Sequence, residues 1–191
     1  DLAYNAIDRT RDLRQSVQAI RTSEQGLPGK GRGANTVSLC ALREGNIGLC
    51  FATTHCRLES MQGIFPGART QAIAYAKGQG EVAYYEALQQ QGLLRRIDDV
   101  VALEAHLEDW AQRPLEAPLG YVLSMEGADP ILPPESLSQW WNQGLRTISL
   151  VLYGVSTYAH GTQAPGGLLP AAVPLLQEME RLGIILDASH M

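Results

Sequence analysis

Short, nearly unbroken apolar runs recur along the chain, and each stops abruptly at polar residues. Ile47-Gly48-Leu49-Cys50-Phe51-Ala52-Thr53 runs into Thr54 and His55, and Tyr121-Val122-Leu123-Ser124-Met125 runs into Glu126-Gly127. Thr147-Ile148-Ser149-Leu150-Val151-Leu152 leads into Tyr153 and a Gly-rich loop, and Ile184-Ile185-Leu186 into Asp187-Ala188-Ser189-His190. Runs of this length without alternation read as strands buried on both faces. Helical patterns separate them. Ile73, Ala76, Val82, Tyr85 and Leu88 predict a helix from Thr70 to about Gln91, weakened by Gly78 and Gly80. Asp98 or Asp99 caps a second through Trp110, with Val101, Leu103, Leu107 and Trp110 available for burial. A third lies near Glu135 to Trp141 behind Pro133-Pro134, and a fourth from Leu168 to Leu182, ended by Gly183. Alternating strand and helix predicts parallel strands with right-handed crossovers. Such folds gather chemistry at the C-terminal ends of strands, where these polar residues fall.

The N-terminal quarter is less regular. Residues 1 to 25 read as a short extended lead-in followed by an exposed helix, with Arg9, Arg11, Arg14, Arg21, Lys30 and Arg32 forming a solvated face among Asp8, Asp12 and Glu24. Gly26-Leu27-Pro28-Gly29-Lys30-Gly31-Arg32-Gly33 reads as a flexible surface loop, since it lacks the preceding strand and the Lys-Ser/Thr ending of a phosphate-binding loop. Thr36 to Arg43 supplies two helical turns.

A chain of 191 residues suits one domain, and a formal charge of −5 gives no electrostatic reason to bind nucleic acid or an anionic membrane. No stretch approaches the ~20 apolar residues of a membrane span. Cys40, Cys50 and Cys56 are odd in number and lack knuckle spacing, which points to a reducing, cytoplasmic setting. With Asp1 at one end and an apolar run just before Met191 at the other, both ends read as cuts through structural elements.

Glu126 carries the sharpest chemical question. A carboxylate at the inner end of a buried strand is costly unless a metal, a cation or several donors hold it, so it is either a ligand or a structural acid, for instance paired with Arg146. On residue type alone, Asp1 is an ordinary chain-start acid and His190 a hydrogen-bonded core His, while His106 sits on a charged helix face in solvent. Trp140-Trp141 reads as helix packing.

Asp1-Leu2, Met125-Glu126-Gly127, Gly144-Leu145-Arg146 and Leu182-Gly183-Ile184-Ile185-Leu186-Asp187-Ala188-Ser189-His190 resemble, in order and spacing, the membrane (renal) dipeptidase family of zinc peptidases in the amidohydrolase superfamily. The resemblance implies a (β/α)8 TIM barrel, of which residues 1–191 would form a partial single domain with about five of the eight strands, counting one that ends at Asp1. Half a barrel leaves an unpaired edge, so the chain is expected to be a portion of a longer polypeptide. The resemblance further implies two Zn2+ ions at the mouth, with Asp1 and His190 as metal ligands and Glu126 as the bridging and catalytic carboxylate. The expected reaction is attack on the peptide bond of a dipeptide by a metal-bridging hydroxide, within a prokaryotic homodimer. Imidazole and carboxylate donors suit zinc.

The family carries an oxyanion-stabilising His where this chain has Leu152, which cannot donate a hydrogen bond. His160, in the loop beyond, is a candidate substitute, and His55, Leu152, Tyr153 and His160 are expected to line the substrate pocket. Asp187 and Ser189 would support the metal ligands. Two alternatives stand beside the dipeptidase: a catalytically silent binding or structural homologue that has lost its oxyanion donor, and another amidohydrolase acting on cyclic amides or esters.

Overall fold

A computed structural model describes residues 1–59 and 67–191. Seven helices and five strands follow one another among the described residues: α1 (Leu2–Ile7), α2 (Val17–Ser23), α3 (Leu39–Glu44), β1 (Leu49–Thr54), α4 (Gln71–Gln90), β2 (Leu94–Arg96), α5 (Val100–Gln112), β3 (Leu119–Glu126), α6 (Leu137–Asn142), β4 (Leu145–Ser149), α7 (Ala172–Leu182) and β5 (Ile185–Asp187). A 3-10 turn at Pro134–Ser136 precedes α6. Every strand pairing in the sheet is parallel, as the apolar runs required.

β3 is the hub. Its even residues bond toward β1, with Gly120 N–H donating to Gly48 C=O, and its odd residues bond the other way, with Leu119 N–H donating to Leu93 C=O and Gly127 N–H to Ser149 C=O. One edge is therefore taken by β1, in register from Leu49 opposite Gly120 to Thr54 opposite Met125. The other is shared along its length by β2 at the start and β4 at the end, and β5 lies beyond β4. Six of the eight β3 residues are buried, so both faces are covered.

Helix packing explains several residues that look wrong for their places. Gly78 sits mid-helix in α4 because a Cβ there would meet Trp140 Cη2 at 2.9 Å, and Trp140 is fully buried. Tyr85 of α4 donates to the Thr53 carbonyl at 2.8 Å and accepts from Ala3 N–H at 3.1 Å, tying α1, α4 and β1 together. Thr70, Asp99 and Gly183 cap their helices as the sequence indicates, with Asp99 rather than Asp98 accepting from Ala102 N–H. Trp141 packs beneath the Arg146 guanidinium, 4.5 Å from ring to cation.

Several expectations are corrected. Residues 2–7 are helical rather than extended, with Asp1 at the N-cap position. A strand not anticipated, Leu94–Arg96, is too short and too basic to register as an apolar run. β4 ends at Ser149 and β5 at Asp187, several residues before the expected ends, because their last residues turn into loops with left-handed backbone at Tyr153 and His190. Arg146 bonds the carbonyls of Asp98 and Trp141 rather than Glu126.

His106 is fully buried, while Val101 and Leu107 are exposed. The reason is a slot opened by two glycines on neighbouring strands. A Cβ on Gly120 would lie 2.5 Å from His106 Nε2, and one on Gly48 would lie 2.7 Å from the Trp110 ring. α5 drops His106 and Trp110 into this slot, and His106 Nε2 meets the Gly48 carbonyl at 2.8 Å. His106 is what fits beside Trp110, so of the apolar residues expected to be buried Val101 and Leu107 face outward instead.

The early arginines are not all solvated. Arg11 grips both oxygens of the buried Glu24 at 2.8 Å and also bonds the Gly31 carbonyl, while Arg32 reaches Glu24 and the Arg9 carbonyl. Gly33 N–H completes the set around Glu24 at 2.8 Å, so the glycine-rich loop is anchored. The Arg11 hydrogen bonds, helped by Arg32 and Gly33 against the opposing effect of burial, pull the Glu24 pKa from 4.5 down to about 2.

No described helix is long and apolar enough to cross a membrane.

Two outcomes are expected. Gly120→Ala should lower stability by about 1–3 kcal/mol through overpacking against His106, read as a shift in the urea midpoint at unchanged slope. Because the Glu24 pKa is depressed on folding, its contribution is complete above pH 4.5 and is lost as pH falls toward 2. Glu24→Gln should therefore flatten the decline in urea midpoint across that window, and an unchanged acid decline would refute the assignment.

Candidate metal centre

β3 ends at Glu126 because Gly127, at φ 90°, turns the chain out of the sheet. Glu126 stands opposite Ser149 in the β3–β4 register and Ser149 opposite Asp187 in β4–β5, so the three strand ends form one rim. Beyond β5 the chain is folded back by local bonds: Ser189 N–H donates to Asp187 Oδ1 at 2.9 Å, and Ser149 Oγ contacts the Ser189 carbonyl at 2.8 Å. Thr162 N–H holds the His190 carbonyl at 2.9 Å. Asp187 and Ser189 thus shape the turn that presents His190.

The result is a pair. His190 Nε2 lies 3.2 Å from Glu126 Oε1, and the two side chains are 23% and 24% exposed. The Tyr153 ring packs against the imidazole with centroids 4.4 Å apart. His190 (φ 67°) and Tyr153 (φ 48°) both hold left-handed backbone without being glycine, a strain of about 1–3 kcal/mol each that the bonds around them sustain.

Asp1 lies at the N-cap of α1 beside β1. Its carboxylate accepts from Thr53 Oγ1 at 2.9 Å. Among the described residues no three His, Cys, Asp or Glu side chains converge in a metal-holding arrangement. Glu126 and His190 are brought together, while the Asp1 carboxylate is held by Thr53.

The spacing of the pair is informative. Two ligands about 2.1 Å from one zinc ion at a near-tetrahedral angle stand roughly 3.4 Å apart. The 3.2 Å between Glu126 and His190 is a hydrogen-bond distance and lies close to that spacing, and carboxylate oxygen and imidazole nitrogen are both donors zinc accepts.

His55 is at the end of β1. Its backbone N–H donates to Glu81 Oε2 at 2.5 Å and its ring tilts against Tyr4, 4.9 Å between centroids. Burial lowers its pKa to about 4, so the ring is neutral at physiological pH. Glu81 is itself buried within α4, and burial raises its pKa to about 7. Its Oε1 has no hydrogen-bond partner among the described residues. Glu81 escaped notice in the sequence although it falls in phase with Gly78, Val82 and Tyr85 on the buried face of α4.

Leu152 is buried, and its carbonyl accepts from Arg57 Nη1 at 3.3 Å. His160 turns to its own loop, where Nδ1 meets the Gly167 carbonyl at 3.1 Å and the backbone N–H bonds the same oxygen at 3.0 Å. Asp129, three residues beyond Glu126, is fully buried and accepts from Leu58 N–H and Thr157 N–H, both at 2.8 Å. Arg57 and Asp129 were not anticipated as part of this rim. The signal available was the turn Gly127-Ala128-Asp129-Pro130 directly after the strand end.

Comparison with solved structures agrees with this architecture. Dipeptidase AC, a metallo peptidase of family M19, shares 19% identity at a TM-score of 0.68 over 92% of this chain and 53% of its own. The probable dipeptidase PvdM from Pseudomonas aeruginosa shares 17% at 0.59, over 93% of this chain and 45% of its own. An amidohydrolase from Pseudomonas aeruginosa shares 14% at 0.58, over 80% and 41%. At these identities the likeness speaks for the fold, and this chain spans about half the length of each. A search of curated proteins found no match. A match to the membrane dipeptidase family, peptidase family M19, covers residues 5–191 and so nearly the whole sequence: the chain belongs to that family.

Proposed function

We propose that the intact protein is a zinc-dependent dipeptidase whose centre lies on the rim formed by β1, β3, β4 and β5. Asp1, Glu126 and His190 are among its metal ligands, with Glu126 the bridge between two ions. The observation that carries this reading is the 3.2 Å approach of His190 Nε2 to Glu126 Oε1, two ligands' spacing on a single ion. Zinc bound there would supply a water acidified toward neutral pH and would polarise a peptide carbonyl.

The chain's own residues then have definite tasks. Glu126 turns Oε1 to His190, and cations held by this carboxylate would relieve the cost of a negative charge at a buried strand end. His190 would offer its Nε2 to an ion, an aim fixed by Tyr153 and by the backbone bond from Thr162. His55, Leu152, Tyr153 and His160 form the walls that receive a small dipeptide, with His55 held neutral by burial. On this reading the parallel sheet is one arc of a closed (β/α)8 barrel, residues 1–191 are part of a single domain, and the protein works as a homodimer. Three free cysteines support a reducing, cytoplasmic compartment.

One observation favours a second reading. The buried, apolar Leu152 occupies the position of the family's oxyanion donor, so the protein is a silent homologue if nothing replaces that donor.

In the intact protein, Glu126→Gln should weaken zinc binding by more than the about 10- to 100-fold typical of losing an outer-shell partner, while leaving the fold unchanged by circular dichroism. Zinc-edge anomalous scattering of the wild type should give two peaks flanking Glu126. Their absence would sink the binuclear centre, and two peaks without dipeptide hydrolysis would favour the silent homologue.

A further inference from the structure

The loop after β1 and the loop after β4 meet beside Glu126, and one carboxylate holds both. Asp129 Oδ2 accepts from Leu58 N–H, next to Arg57, and Oδ1 accepts from Thr157 N–H, beyond Tyr153. Arg57 is thereby fixed across the rim. Its Cβ and the Leu152 Cβ lie 3.9 and 3.6 Å from where a Gly127 Cβ would stand, so both residues flank the turn that follows Glu126. Its Nη1 reaches the Leu152 carbonyl at 3.3 Å. Burial lowers the Arg57 pKa, while the charges of Asp129, Tyr153 and Tyr4 act in the opposite direction. The guanidinium stays cationic in a partly dry position, where its hydrogen bonds are stronger than in water.

Contacts run in sequence along this rim: Glu126 to His190, His190 to Tyr153, and Leu152, the neighbour of Tyr153, to Arg57. The one cation of that series stands at the residue whose side chain cannot donate. We infer that Arg57 is a substrate-contacting residue that donates N–H to the oxygen of the scissile carbonyl, supplying from the β1 loop what Leu152 cannot supply from the end of β4. When the oxygen of hydroxide bonds to the carbonyl carbon, the π pair moves onto the carbonyl oxygen, which takes over the negative charge, and no proton is transferred in that step. Arg57 stabilises that negative charge, keeps its own proton and forms no covalent bond. Asp129 is the positioning residue, since it anchors the loop that carries Arg57. The inference rests on the dipeptidase reading and removes the reason for regarding Leu152 as a sign of a silent protein.

The test uses the intact, zinc-loaded protein. Arg57→Ala should lower kcat by about 10²–10³-fold with KM changed less than about threefold, and Arg57→Lys should lose less. The double variant Arg57→Ala/Leu152→His should recover at least about tenfold in kcat over Arg57→Ala, a rescue that a purely structural role for Arg57 would not permit. A phosphinate dipeptide analogue, whose tetrahedral anion mimics the transition state, should bind Arg57→Ala about 100-fold more weakly than wild type by calorimetry. An unchanged kcat in Arg57→Ala overturns the inference. So does a loss confined to KM that vanishes for C-terminally amidated dipeptides, which would make Arg57 a reader of the substrate carboxylate. Failure of Leu152→His to rescue would leave Arg57 as the counter-ion of Asp129. Wild type that hydrolyses no dipeptide overturns the dipeptidase reading, and the phosphinate then decides Arg57 separately: equal binding by wild type and Arg57→Ala overturns it, and tighter binding by wild type supports it.

Discussion

A strand bonded along both edges and buried on both faces cannot slide, and β3 is such a strand. Its first residues are paired by β1 and β2 and its last by β1 and β4, so the height at which Glu126 emerges is set by the whole sheet. A one-residue slip would exchange Met125, fully buried, for Glu126 and place a carboxylate in the core. The strand neighbours then fix where His190 can arrive, because β4 and β5 are parallel and end level with β3. The chemistry of the rim is in this sense a consequence of register.

Much of this could be read from residues alone. The apolar runs from Ile47, Tyr121, Thr147 and Ile184 all contain strands, and the polar residues that close them do gather at one end. Glu126 and His190, 64 positions apart, are adjacent because both follow such runs. The helices announced by Thr70, Asp99, Pro134 and Gly183 begin or end where their capping chemistry placed them, since caps act through bonds to the next few residues.

What could not be read depended on partners distant in sequence. His106 is indistinguishable from a surface residue until Gly48 and Gly120 are seen to open a slot beneath it. Glu24 looks solvated among arginines until Arg11 and Arg32 close on it from two segments. Leu2 to Ile7 is too short to carry a periodic signal, and β2 carries three residues of which two are arginine. The same limit applies at the rim, where Arg57 and Asp129 owe their places to hydrogen bonds that cross 71 and 95 positions of sequence.

Asp129 also bears on how the rim moves. Releasing the Leu58 loop or the Thr157 loop alone would break one N–H bond to a fully buried carboxylate and leave an oxygen without its donor, a penalty of about 1–3 kcal/mol or more for a charged group. Leu58 and Thr157 are therefore coupled through Asp129 rather than held independently. Separating Leu58 from Thr157 would mean giving up both oxygens of one buried carboxylate, so the ends of β1 and β4 are spaced by a single side chain as well as by the sheet.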